Sequence, residues 1–268
     1  MIRLALRVRR ADAELVLAEL LELAPNGVEE TGDGDVVEFA VYGAPGELPA
    51  LPALRAAAGE AFVEVETEEI PDDWYDGWKE FHRPIVVGDR LRVRPPWEKS
   101  VDDGIVDVVI DPGMAFGTGA HATTRMCLDL MLELDPGGPF ADLGCGSAVL
   151  AIAAAKLGWD PIVALDHEIA AVEAAAANAA ANGVVLDARR WDLRRDDLPG
   201  APTIAANLLR PLLLELARRL DAPPEHLVAG GLLADQADEV AAAFAARGLV
   251  ERSRRTDGEW AALLLARD

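Results

Sequence analysis

Phe140-Ala141-Asp142-Leu143-Gly144-Cys145-Gly146-Ser147 decides the fold. A short strand runs to Leu143, two glycines follow, and a helix opens near Ser147. Glycines at such a joint let the backbone pass close beneath a ligand, and the helix N-terminus offers unpaired N–H groups. Alone, the loop reads as a nucleotide cradle or as a tight strand-to-helix turn.

Outward from this loop the pattern repeats. Strands are predicted at 140–143, 162–166, 186–191, 203–207 and 226–229, with helices beginning near Ser147, Glu168, Leu208 and Leu233. Such alternation predicts a parallel sheet covered by helices on both faces. The chain end differs: strands at 249–254 and 260–266 flank Thr256-Asp257-Gly258. So short a connection joins only antiparallel neighbours, because a parallel crossover needs about a dozen residues or more. A doubly wound α/β sheet closed by one antiparallel hairpin suits a methyltransferase better than a dinucleotide dehydrogenase.

Asp166 ends the next strand, 22 positions after Gly144. An acid there can accept hydrogen bonds from both hydroxyls of a ribose; it can equally cap the following helix. Loop and acid together suggest an adenosine-containing ligand without separating NAD from S-adenosylmethionine. Three features favour the methyl donor. Val149 stands where the third glycine of Gly-x-Gly-x-x-Gly would fall. Asp142 can take the ammonium of a methionine moiety, whereas it would repel a diphosphate. The terminal hairpin agrees.

Two further segments are candidates. Asn207 ends the fourth core strand, where ligands of open α/β sheets bind, and its amide can hold a substrate amine or cap a helix. The run from Asp111 through Gly113, Phe116, Gly117, Gly119 and His121 to Arg125 is glycine-rich and polar. It reads as a lid or as a helix cap supplied by Thr123 and Thr124. His121 is a possible base and more readily a structural residue.

Bulk properties narrow the classes. The chain has 268 residues, enough for two unequal domains, with 51% apolar content and no membrane-length apolar run. Net charge is −22, which disfavours direct nucleic-acid binding and suits a basic protein partner. Cys127 and Cys145 form neither a metal nor a disulfide pattern, and the start lacks a signal-peptide layout. No metal and a cytoplasmic location are expected. Residues 1–68 read as β-α-β-β-α-β, the order of a ferredoxin-like sandwich, with helices around 12–23 and 51–58. Residues 69–98 read as a linker: a helix bearing Trp74 and Trp78, then an extended segment through Pro95-Pro96-Trp97. Those tryptophans suit interdomain packing more than substrate contact. Residues 99–268 form the catalytic domain.

The residues then support a resemblance. The 110–125 segment with its Asp-Pro-Gly-Met-Ala-Phe-Gly-Thr-Gly run, the glycine loop continuing into Val149-Leu150-Ala151, Leu165-Asp166, and Ala206-Asn207-Leu208-Leu209 resemble the PrmA family. So do Asp73-Trp74, Trp78-Lys79, Pro84 and Pro95-Pro96-Trp97. The family methylates protein eleven of the large ribosomal subunit on lysine side chains and the N-terminal amine. The resemblance implies S-adenosylmethionine contacts at Thr124, Gly144, Asp166 and Asn207, and substrate recognition by the N-terminal domain. Asp142, Gly146, Phe116 and Asp192 complete the expected donor site, with Asn207 as the expected catalytic residue. Two departures stand out: Ala148 occupies a family glycine position, and Asp166-His167-Glu168-Ile169 replaces Asp-Ile-Asp-Pro. Other readings are a methyltransferase of another protein and an inactive adenosine-binding, ribosome-associated module.

Overall fold

The computed structural model describes residues 2–13, 16, 20, 29–32, 35–43, 54, 58–69, 83–111 and 121–268. The chain divides into two compact units, Met1–Phe81 and His82–Asp268. In the first, strands β1 (Ile2–Arg9), β2 (Glu29–Thr31), β3 (Val36–Gly43) and β4 (Phe62–Glu69) form an antiparallel sheet in the order β2-β3-β1-β4. Alternation along β1 buries Leu4, Leu6 and Val8 with Val37 and Phe39, and with Val16, Leu20 and Leu54 beside them. Arg3 and Arg7 pair with Glu38 of β3 instead. Most of the two expected helices, and the whole expected linker helix with Trp74 and Trp78, lie outside the described residues.

The second unit begins earlier than expected. From residue 85 the supposed extended linker forms β5 (Ile85–Val87) and β6 (Leu91–Arg94), which join β7 (Val106–Val109) in a three-stranded sheet. Gly88 and Asp89 both take positive φ, +55° and 51°, as a tight hairpin turn demands. The two arginines of β6 disguised the strand. Arg92 bonds to Asp103 and Asp107, and Arg94 to Asp107, so both charges are neutralised where they are buried.

The main sheet contains β8 (Phe140–Leu143), β9 (Ile162–Asp166), β10 (Asp187–Arg190), β11 (Thr203–Asn207), β12 (His226–Leu233), β13 (Leu249–Asp257) and β14 (Trp260–Arg267). Their order is β10-β9-β8-β11-β12-β14-β13. The first five are parallel, and β14 runs antiparallel to β12 and β13, as the closing hairpin requires. Helices α1 (Ala122–Met131), α2 (Val149–Leu157) and α3 (Ile169–Asn182) precede α4 (Arg210–Arg219) and α5 (Ala237–Ala245). One core holds Leu128, Leu130, Leu150 and Ile152 of α1 and α2; the other holds Leu213, Leu216, Val240 and Phe244 of α4 and α5. Each fully buried side chain of this size stabilises the fold by about 1.5–3 kcal/mol. The strand order reverses between β8 and β11, which leaves a crevice beyond their carboxyl ends. No helix among the described residues is long and apolar enough to cross a membrane.

Candidate functional site

The glycine loop turns on residues in the left-handed region. Gly144, Gly146 and Ala148 have φ of +71°, 51° and 62°. Gly144 is also required sterically, since a Cβ there would lie 2.3 Å from Leu208 Cδ2, so the loop and the end of β11 are in close contact. Gly144 N and Cys145 N donate to Leu165 O at 2.8 and 3.0 Å, which latches the loop to β9. Ala148 is wholly buried and strained, because a Cβ in this conformation costs about 1–2 kcal/mol. Ala148→Gly is expected to stabilise the protein by about 0.5–1 kcal/mol after the extra unfolded-state freedom of glycine is subtracted. Urea unfolding checks this; an unchanged or lower midpoint would mean that packing of the Ala148 methyl outweighs the strain.

Asp166 is held at the end of β9 by two backbone donors. Gly146 N reaches Oδ2 and Glu168 N reaches Oδ1, each at 3.0 Å. The carboxylate thus joins the glycine loop to the start of α3, combining a helix-end role with a place at the crevice. A carboxylate has about four acceptor positions, so two remain for a ligand.

Asn207 ends β11, and Thr124 lies in the first turn of α1. Asn207 Nδ2 donates to Thr124 Oγ1 at 3.3 Å, bringing together two expected site residues 83 positions apart. Asn207 Oδ1 is buried without a hydrogen-bond partner among the described residues. A buried orphan acceptor costs about 1–3 kcal/mol, so this oxygen favours a ligand N–H. Gly230 of β12 makes room for it: a Cβ there would meet Cys127 Sγ at 2.4 Å and Asn207 Oδ1 at 2.8 Å.

The other expected residues divide. Asp142 is 1% exposed, and its Oδ2 accepts from Ala151 N at 3.0 Å, so it braces the first turn of α2 instead of opening toward an ammonium. Burial pushes its carboxyl up to about 7, with Asp166 adding repulsion and the Ala151 bond opposing. A carboxyl raised above its ordinary value binds its proton more tightly when folded. It therefore makes stability fall as pH rises from about 4 to about 7. Asp142→Asn is expected to flatten that fall, read as melting temperature against pH; an unaltered slope would contradict it. Asp192 caps the turn after β10, accepting from Arg194 N at 2.9 Å, and its neighbour Trp191 N donates to Asp166 O at 2.7 Å. Phe116 lies outside the described residues. His121 is the N-cap of α1: Thr123 N reaches its Nδ1, and its ring meets Trp260 edge-on at 4.8 Å. The helix cap expected from Thr123 or Thr124 is supplied by this histidine. Burial pushes the Cys127 and Cys145 thiols well above their ordinary range, which suits packing residues. Sequence reading passed over Asn178 and Asn182, although two amides four apart in an alanine-rich helix were visible.

Residues 51–268 match the family model described as ribosomal protein L11 methyltransferase (PrmA). The chain is 36% identical over 241 residues to the ribosomal protein L11 methyltransferase of Geotalea uraniireducens, covering 81% of this chain and 76% of that protein. It is 39% identical over 199 residues to the corresponding protein of Symbiobacterium thermophilum, covering 72% of this chain and 65% of that one. Among solved structures, the ribosomal protein L11 methylase of Lactobacillus delbrueckii subsp. bulgaricus superposes with a TM-score of 0.63 at 29% identity, covering 69% of this chain and 99% of that chain. The chain belongs to the PrmA family of ribosomal protein L11 methyltransferases.

Proposed function

We propose that this chain transfers methyl groups from S-adenosylmethionine to amino groups of ribosomal protein L11, at lysine side chains and the N-terminal amine. The observation that carries the site is Asn207 Oδ1, unpartnered among the described residues, at the carboxyl end of β11, beside Thr124 and against the glycine loop through Leu208. When bound, the donor supplies a methyl on a sulfonium, already a good leaving group. Asp166 would hold the ribose with its two free acceptor positions, and Gly144 and Gly146 would line the donor's path. The Asp166 carboxylate would give this end of the sheet a negative character that suits a cationic donor and opposes a diphosphate.

The chemical problem left to the protein is the amine. About one lysine in a few thousand is neutral at pH 7, and only the neutral form attacks. Asn207 would accept an amine N–H and aim the lone pair along the transfer axis, so its contribution is alignment. The first unit, with the sheet order β2-β3-β1-β4 of a ferredoxin-like domain, would recognise the substrate. A net charge of −22 favours encounter with a basic ribosomal protein, and a cytoplasmic location goes with that substrate.

Intact-mass analysis of L11 after incubation with the protein and donor tests the proposal: stepwise methyl additions are expected, and unmodified L11 would overturn it. A piece starting at His82, which keeps all three strands of the small sheet, should bind the donor and lose methylation of intact L11. Full-rate methylation by that piece would refute the recognition role of the first unit.

A further inference from the structure

Asn178 and Asn182 sit one turn apart on α3, and they tie this helix to two distant segments. Asn178 is 4% exposed, with both halves of its amide engaged. Its Nδ2 donates to Ser147 O at 3.0 Å, and its Oδ1 accepts from Asp111 N at 3.2 Å. Asn182 Oδ1 accepts from Val109 N at 2.8 Å, while its Nδ2 donates to Val109 O at 2.6 Å and to Asn178 O at 2.8 Å.

The two amides therefore do different things. Asn182 grips the end of β7 at Val109 and the backbone of its own helix. Asn178 alone bridges two chain segments: Ser147 lies between Gly146 and the strained Ala148, and Asp111 opens the segment that leads to Thr124. An amide has a donor and an acceptor at fixed separation. With both used, it sets where one segment stands relative to the other.

We propose that Asn178 is a positioning residue for the methyl donor, holding the glycine loop and the start of the 111–125 segment in mutual register before the donor arrives. This rests on the assignment of the glycine loop and Thr124 to donor binding. Asn178 touches neither reactant; it acts through Ser147 and Asp111. Its removal lets the glycine loop and the chain at Asp111 settle independently, so part of the donor's binding energy goes into bringing them back together.

The test uses the full-length protein, with S-adenosylmethionine as titrant and L11 as acceptor. Asn178→Ala is expected to raise the donor Kd and KM about tenfold or more, with kcat at saturating donor within about twofold of wild type. Asn178→Asp keeps an acceptor for Asp111 N but sets a carboxylate against Ser147 O, and should do at least as much. Asn182→Ala should lower the melting temperature while leaving donor KM within about twofold. Asn178→Ser, small and able to keep one partner, serves where the alanine variant fails to fold, with the same direction expected. Equal shifts in donor KM for the Asn178 and Asn182 variants would overturn the proposal, as would a lowered kcat with unchanged KM. Wild-type protein that binds no donor would overturn the underlying donor-site reading and this proposal with it. Wild-type binding with unshifted Asn178 variants would overturn this proposal alone.

Discussion

Asn207→Ala is expected to lower kcat on the order of a hundredfold or more, because the proposed role of this amide is to align the attacking amine. The structural basis is the buried Oδ1 that has no partner among the described residues, on a side chain steered by Thr124 Oγ1 at 3.3 Å. Donor affinity should fall much less than turnover. The wild-type rate should climb with pH as the target amine deprotonates, and the variant should retain that climb at lower amplitude. Single-turnover transfer at saturating donor separates the possibilities. A variant rate near wild type would mean that Asn207 only closes the end of β11.

The second large effect is on binding. Asp166→Ala should weaken S-adenosylmethionine binding by about tenfold to a few hundredfold, since hydrogen bonds to a charged acceptor contribute about 1.5–3 kcal/mol each. The same change leaves Gly146 N and Glu168 N without their shared acceptor, so some stability should go too. Calorimetry on folded protein decides: unchanged donor affinity would remove Asp166 from the ribose site and leave it as a latch between loop and helix.

The main sheet was legible because β8, β9 and β11 are short apolar runs that end at a glycine, an acid and an amide, and because the hairpin around Gly258 admits only antiparallel neighbours. The start of the second unit was not legible. Arg92 and Arg94 read as surface residues until Asp103 and Asp107, eleven or more positions later, are seen to neutralise them. Asp142 shows a different limit. Its residue type was consistent with an ammonium partner, but strand register turns it under the loop toward Ala151 N, and no local pattern gives that direction. Ala148 was visible as a departure from the family glycine, but its positive φ of 62° comes only from the structure. Thr124 and Asn207 were each candidates, but their contact across 83 residues arises only from packing α1 against the ends of β11 and β12.

We infer methyl transfer to one ribosomal protein from a site organised around Asn207. The most direct measurement offers label on the donor methyl to a mixture of purified, unmethylated large-subunit proteins, with wild type and Asn207→Ala in parallel. Label confined to L11 with wild type, and reduced about a hundredfold or more with the variant, is the predicted result. Label on other proteins with L11 unmarked, or equal incorporation by the two enzymes, would contradict it.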